Sequence, residues 1–248
     1  GTRNDVKCTG IEHKLGIHAS PTCTMQFGDK GGAVGYLVGE EHQGLKYMFT
    51  MMNNARLSVG LQGVAIAEAS YQHALAYAKD REQGYDLDDK EKRVTILHHP
   101  DVKRMLMQMR AQIEACRALT YEAALHLDLA AKGDKTAQTR VDLLTPIVKS
   151  MGTDMSLEVT SLGVQIHGGM GFVEETGAAQ FYRDARILPI YEGTNGIQAA
   201  DLLFRKTLRD KGKAAKHFIT EMKELVRDAQ TNNEEILFMA DALEGSLE

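Results

Sequence analysis

The spacing of the apolar residues changes near Glu40, and this change constrains the fold more than any other feature of the chain. Before Glu40, apolar and polar residues alternate as in β-strands. After it, the apolar residues recur every three or four positions, as on one side of a helix. The second pattern follows three long stretches, at roughly 54–82, from Pro100 onward, and at roughly 135–167. Because short connections join these stretches, the sequence predicts an antiparallel helical bundle.

Two shorter helices are predicted at about 175–187 and 194–209, and they would close the bundle as a four-helix-type arrangement. The fold class is therefore mostly α, and the bundle is expected to occupy residues 41–210. The remaining stretch, 211–248, begins with amphipathic spacing, so it is predicted to be an additional helical extension.

The first forty residues are predicted to form three short strands, at 6–10, 21–27 and 33–38, with a hairpin turn at 28–32. Three strands without a partner sheet cannot bury both of their faces. We therefore expect residues 1–40 to be the end of a β-domain, and the chain to be part of a longer polypeptide.

The composition excludes several classes of protein. The formal charge is -5 and no basic stripe is present, which argues against a nucleic-acid partner. Three widely spaced cysteines (Cys8, Cys23 and Cys116) do not form a thiolate metal site and suit a reducing compartment. No run of about 18 apolar residues and no signal pattern is visible. The sequence thus predicts a cytoplasmic protein without a bound metal or a membrane span.

Two glycine-containing motifs, at 165–172 and 190–198, carry most of the chemical information. The second places the carboxylate of Glu192 beside Gly193, on a turn between two predicted helices. Glycine lets the backbone come close to a ligand and leaves the neighbouring carboxylate accessible. Taken alone, Glu192 could act as a base or could simply begin a helix, where carboxylates are common.

The order of these motifs, with Arg183-Asp184-Ala185-Arg186 between them, resembles the C-terminal helical domain of the acyl-CoA dehydrogenases. Further matching segments follow in the family's order, at 35–45, 49–57 and 77–84, and the resemblance covers residues 6–208. The insertion after residue 84 and the extension beyond 208 resemble a branch of longer polypeptides, in which extra helices follow the bundle.

The resemblance implies that Glu192 removes the α-proton of an acyl-CoA thioester, while a hydride from the β-carbon passes to FAD and a 2-enoyl-CoA forms. It assigns FAD contacts to Arg81, Gln165, Ile166, His167, Gly168, Gly169, Thr194, Asn195 and Gly196. It assigns substrate contacts to Asn53, Arg56 and Gly193. Asn53 stands where the family usually has an aspartate, so the charge of that contact is lost. Arg81 and the 165–169 loop are expected to reach FAD across a subunit interface.

The resemblance also implies partners: an acyl-CoA substrate, an electron-transferring flavoprotein as acceptor, and a homodimer or homotetramer. An acyl-CoA oxidase and a non-catalytic helical assembly module are the alternative functions. His99 stands where the family often has a flavin contact, but the insertion at 85–94 leaves a capping or surface role equally open. Without the main part of the β-domain, the 248-residue chain alone is expected to be inactive.

Overall fold

Three long helices dominate the computed structural model, which describes residues 2–230 and positions 239, 242, 243, 245 and 246. They are α1 (Gly44–Asp80), α2 (Pro100–Ala131) and α3 (Lys135–His167). Helices α1 and α3 run parallel, and α2 runs antiparallel to both and packs against both. The predicted fold class is confirmed. Among the described residues, no helix combines the length and the apolar character needed to cross a membrane.

Local signals place the ends of α2 and α3 where the sequence predicts them. Pro100 occupies the first turn of α2, where its missing N–H is not needed. Asp134 caps α3, because its Oδ1 accepts hydrogen bonds from the backbone N–H groups of Thr136 (2.8 Å) and Ala137 (3.0 Å). Gly168, with φ of 59°, ends the same helix.

Helix α1 begins at Gly44, about ten residues before the start that the apolar period predicts. Its first turns carry exposed apolar side chains such as Leu45 and Met51, which do not form a buried stripe against this chain. The connection between α1 and α2 also contains structure. Strands β3 (Glu82–Tyr85) and β4 (Arg93–Thr95) pair as an antiparallel hairpin that flanks the insertion at 85–94.

The amino-terminal region contains two strands rather than three. Strands β1 (Val6–Ile11) and β2 (Cys23–Phe27) form an antiparallel pair. The strand predicted at 33–38 is wrong, because the Asn4 side chain replaces a neighbouring strand there. Its Nδ2 donates to the Val34 carbonyl (2.7 Å), and its Oδ1 accepts from the Val34 N–H (3.0 Å). Both backbone groups of Val34 are therefore already paired.

Shorter helical elements follow α3. Helix α4 (Ala178–Ala185) packs against α1 and α3 as a short fourth member of the bundle. Helix α5 (Asn195–Ala200) continues into a π-helical segment (Asp201–Leu208), so the predicted 194–209 helix is present with a wider final part. Helix α6 (Lys213–Gln230) begins the predicted extension. The prediction for 231–238, 240, 241, 244, 247 and 248 lies outside the described residues.

Glycines allow α1 and α3 to approach each other closely. A Cβ atom added at Gly63 would lie 2.2 Å from the Gly152 carbonyl oxygen, and one at Gly60 would lie 2.8 Å from the Val148 carbonyl oxygen. These distances are far below van der Waals contact, and the opposing atoms belong to the backbone. The close approach also places residue 149 of α3 near the middle of α1.

Replacing Gly63 with alanine is expected to lower the free energy of unfolding by about 2 kcal/mol, because the added methyl group forces two helix backbones apart. Helix propensity alone would change stability in the opposite direction, by up to about 1 kcal/mol. Gly44→Ala is the matched control, because it lies in the same helix with no atom within 4 Å of an added Cβ. Urea denaturation measures the stability of both variants. A midpoint for Gly63→Ala equal to that of Gly44→Ala would contradict the close packing of α1 and α3.

Candidate functional site

The turn that carries Glu192 has an unusual backbone. Glu192 has φ of 55° and Gly193 has φ of 87°, so two consecutive residues are left-handed. This conformation is uncommon for a residue other than glycine and costs on the order of 1 kcal/mol or more. Helix α5 begins at Asn195, with the Thr194 hydroxyl oxygen accepting from the Ile197 N–H (3.3 Å) and no acidic residue in its first turn. Glu192 therefore lies before the helix and does not begin it.

Buried groups hold this turn from below. The fully buried Gln198 side chain donates from Nε2 to the Gly193 carbonyl (3.2 Å). A Cβ atom at Gly193 would lie 2.8 Å from that nitrogen and 3.6 Å from Nη2 of Arg56. Gly193 is thus required both by its backbone conformation and by the space beneath it.

Tyr191 connects the turn to α1. Its hydroxyl group donates a hydrogen bond to Oε1 of Gln62. Burial, reinforced by the nearby Glu192 carboxylate, raises the pKa of Tyr191, so the phenol keeps its proton and remains a donor. The Glu192 side chain itself is half-buried. Its carboxylate is therefore accessible while the residues on both sides are anchored.

Arg56 lies inside the bundle, beneath the turn. Its Nη1 is 3.5 Å from Oδ2 of Asp201, and the two side chains are 5% and 6% exposed. Nε of Arg56 is buried and has no hydrogen-bond partner in the described part of the chain. Asn53, the other predicted acyl-CoA contact on α1, lies one turn earlier. The structure thus brings Arg56 and Gly193 together behind Glu192.

Lys149, a residue of α3 whose side chain is 0% exposed, belongs to the site but not to any of the sequence motifs. Its Nζ donates to Oδ1 of Asn195 (2.8 Å), and burial lowers the pKa of Lys149 to about 8. The available signal was a lysine directly after Val148, on the buried stripe of α3.

The three predicted FAD contacts next to Glu192 differ in what they can offer a ligand. The Thr194 hydroxyl group caps α5, and the Asn195 side-chain amide is engaged with α3. Gly196 is exposed. This part of the site therefore presents mainly backbone groups.

A second group of predicted residues lines a cleft of about 580 Å³ at the carboxyl-terminal end of α1. The cleft contains Arg81, the end of α3 and the β3–β4 hairpin. Its predicted FAD contacts are Arg81, Ile166, His167, Gly168 and Gly169. Gln165 is exposed on the last turn of α3 and does not line the cleft. His99 lines it, and its Nε2 is hydrogen-bonded to the Gln83 carbonyl (2.7 Å).

His167 is the most unusual member of this cleft. The ring is 4% exposed and stacks between His73 and Tyr77, with centroids at 4.7 and 4.4 Å. Nδ1 lies 2.7 Å from the Gly163 carbonyl, and burial lowers the pKa of His167. The ring is thus a neutral imidazole near neutral pH. Nε2 is buried and has no partner among the described residues, so one ring nitrogen is left unsatisfied beside the cleft.

The two groups of predicted residues are far apart on one chain. Arg56 and Arg81 mark them on α1. At 1.5 Å per residue, the helix separates these positions by about 37 Å. The two groups therefore form separate sites within a single chain.

The comparisons with known proteins establish the family. Residues 42–206 match the family described as "Acyl-CoA dehydrogenase, C-terminal domain". The chain belongs to the acyl-CoA dehydrogenase family, as the order of its motifs indicated.

Particular relatives extend this result. The chain is 57% identical over 221 residues to 3-methylmercaptopropionyl-CoA dehydrogenase of Ruegeria pomeroyi, covering 87% of the chain and 37% of that protein. This relative confirms the predicted branch of longer polypeptides. Broad-specificity linear acyl-CoA dehydrogenase FadE5 of Mycobacterium tuberculosis is 41% identical over 243 residues, covering 94% of the chain and 40% of that protein. The chain thus spans about two fifths of the length of these curated relatives.

Among solved structures, butyryl-CoA dehydrogenase from Megasphaera elsdenii superimposes with a TM-score of 0.66 and 32% sequence identity. The match covers 80% of the chain and 48% of that structure. The arrangement of α1, α2 and α3 is therefore an arrangement that this family uses.

Proposed function

We propose that the protein containing this chain is an FAD-dependent acyl-CoA dehydrogenase in which Glu192 is the catalytic base. The observation that carries the proposal is the Glu192 turn, where a half-buried carboxylate stands on a left-handed backbone anchored by Gln198 and Tyr191. A helical assembly module has no need for such a strained and supported carboxylate. The family match covers residues 42–206, which include the Glu192 turn, and it supports the same assignment.

In the proposed reaction, Glu192 takes the α-proton of the acyl-CoA thioester onto a carboxylate oxygen. Bound FAD supplies the acceptor for the hydride that leaves the β-carbon. The left-handed backbone keeps the N–H groups of Glu192 and Gly193 out of a helical ladder, so they can bind the thioester carbonyl. Arg56, paired with Asp201, places a buried cation beneath this turn.

The residues of the cleft at the carboxyl-terminal end of α1 fit part of an FAD molecule. Arg81 supplies a cation for a pyrophosphate and forms no ion pair within the described part of the chain. His167 offers a buried nitrogen without a partner, and no atom lies within 4 Å of a Cβ added at Gly168 or Gly169. A cation for the phosphates, a hydrogen-bond acceptor and open backbone suit a ligand that carries both phosphates and N–H or O–H donors, as FAD does. We therefore propose that this cleft receives FAD.

The separation of the two sites supports an oligomer. The Tyr191 contact to Gln62 places the Glu192 turn about 28 Å along α1 from Arg81. One FAD isoalloxazine beside Glu192 therefore cannot have its phosphates at Arg81 of the same chain. We propose a homodimer or homotetramer in which each cleft serves a neighbouring subunit. An electron-transferring flavoprotein is the proposed acceptor for the electrons.

We also propose the domain limits expected from the sequence. Residues 1–40 would be the end of a β-domain, residues 41–210 the helical domain, and residues 211–248 an extension. The family match at 42–206 and the bounds of α1 and α6 support this division.

The visible spectrum of the full-length protein that contains this chain tests the proposed function. Bound flavin is expected, and anaerobic addition of an acyl-CoA is expected to bleach it. Butyryl-CoA and 3-methylmercaptopropionyl-CoA are suitable first substrates, because relatives are named after them. Peroxide formation in air would indicate an oxidase. A colourless protein that also fails to bind added FAD would contradict the proposal.

Arg81→Ala is expected to weaken FAD binding about 10- to 100-fold, because a charge-assisted hydrogen bond to a phosphate is lost. Fluorescence titration of the flavin-free protein measures the affinity. Lys79→Ala removes an exposed cation from the same helix end and is the matched control. Equal FAD affinity in Arg81→Ala and the wild type would remove Arg81 from the cofactor site.

A further inference from the structure

Lys149 is a fully buried cation beneath the Glu192 turn. It is the largest of the fully buried side chains in the described part of the chain. Its Nζ donates to Oδ1 of Asn195 at 2.8 Å. An ammonium group removed from water lowers stability unless its partners compensate. A role in stability alone therefore does not account for a lysine at this position.

Asn195 connects Lys149 to the loop that contains Glu192. Its Nδ2 donates to Oδ1 of Asp154 (2.7 Å) and to Oγ1 of Thr153 (3.0 Å). Its backbone N–H donates to the Pro189 carbonyl (3.0 Å) and closes the loop 189–195. The Asn195 side chain is thus fixed to α3, and its main chain fixes the end of the loop.

The charges around Lys149 come from three elements. Burial is the largest influence and lowers the pKa of Lys149 to about 8. Asp154 on α3 and Glu192 on the turn favour the ammonium form, whereas Arg56 on α1 disfavours it. Arg56 is itself paired with Asp201. Lys149 therefore carries its charge at neutral pH and loses it far more readily than an exposed lysine does.

We propose that Lys149 is a positioning residue, which as an ammonium group holds Asn195 and thereby fixes the loop 189–195 that presents the Glu192 carboxylate. The proposal rests on the proposed function, in which Glu192 is the base. A neutral amine still donates to Asn195, but charge-assisted hydrogen bonds are about twice as strong as neutral ones. The loop consequently loosens as the pH rises through about 8.

Amide hydrogen exchange tests the contact without any need for turnover. In the full-length protein, Lys149→Met removes the donor, and Lys149→Gln keeps a donor without the charge. The peptide covering 189–198 is expected to exchange about tenfold faster in Lys149→Met, because one charge-assisted hydrogen bond is lost. A peptide from α2 reports on global folding and is expected to exchange at the wild-type rate. Unchanged exchange of 189–198 would overturn the proposal.

Anaerobic flavin reduction by an acyl-CoA gives the second readout. Lys149→Met with FAD bound is expected to reduce the flavin about 100-fold more slowly at saturating acyl-CoA, because the base is misplaced. The wild-type rate is expected to fall above pH 8, and both Lys149 variants are expected to lack this alkaline decline. Lys103→Met, on the exposed side of α2, is the matched control.

The two proposals fail in distinguishable ways. Persistent turnover in Glu192→Gln would overturn the assignment of Glu192 as the base. The amide hydrogen exchange of the 189–198 peptide would still show whether Lys149 holds the loop. Inactive Glu192→Gln together with a wild-type rate and wild-type pH dependence in Lys149→Met would overturn the positioning role alone.

Discussion

Replacing Glu192 with glutamine in the full-length protein is expected to lower the rate of flavin reduction by acyl-CoA about 10²- to 10⁴-fold while FAD stays bound. Glutamine has the shape of glutamate but cannot accept the α-proton. The left-handed backbone, the Gln198 contact to Gly193 and the Tyr191 contact to Gln62 do not involve the Glu192 carboxylate. The turn should therefore persist in the variant, so the loss reports on chemistry. Stopped-flow absorbance under anaerobic conditions measures the rate.

Glu175→Gln is the matched control for this substitution. Glu175 is exposed, lies between α3 and α4, and forms no ion pair within the described residues. Its variant is expected to reduce flavin at the wild-type rate. Turnover of Glu192→Gln within a factor of a few of the wild type would remove Glu192 from its role as base.

The stability of the chain relative to Lys149→Met is expected to rise by about 3 kcal/mol between pH 8 and pH 10.5. Burial lowers the pKa of Lys149 from 10.5 in an unfolded chain to about 8 in the folded one. Between these values the unfolded chain binds more protons than the folded chain, so the free energy of unfolding increases with pH. Above pH 10.5 the added free energy of unfolding is fully present. It is lost as the pH falls through about 8, because the buried Lys149 then takes up its proton.

Urea denaturation of the wild type, Lys149→Met and Lys103→Met at several pH values measures this difference. Subtracting the Lys149→Met curve removes the titration of every other group. Lys103 is exposed, so the difference between its variant and the wild type is expected to be independent of pH over this range. A pH-independent difference for Lys149→Met would show that the ammonium group is not desolvated in the folded chain.

The helical part of the fold could be predicted because its signals are local. Pro100 and Asp134 mark helix starts within one turn of the residues they affect, and the apolar period extends over whole helices. The start of α1 was missed because Leu45 and Met51 are apolar without being buried. The strand at 33–38 was wrong because a side chain 30 residues away, Asn4, takes its hydrogen bonds.

The site could be predicted only in part, because only some of its signals are local in the sequence. Glu192 and Gly193 belong to one contiguous motif, so their neighbourhood is visible in the sequence. The Arg56–Asp201 pair spans 145 residues and the Lys149–Asn195 pair spans 46, and only the packing of α1, α3 and α5 brings them together. The sequence alone does not distinguish a buried lysine from an exposed one, so the role of Lys149 becomes visible only in the fold.

Helix α1 imposes a constraint on how this chain can diverge. It runs without interruption past both the Glu192 turn and the cleft at Arg81. Deleting or inserting one residue between Arg56 and Arg81 would rotate one site relative to the other by about 100° and shift it by about 1.5 Å. Insertions and deletions between Arg56 and Arg81 are consequently incompatible with keeping both sites. The β3–β4 hairpin lies beyond the end of α1, so it can gain or lose residues without altering the spacing of the two sites.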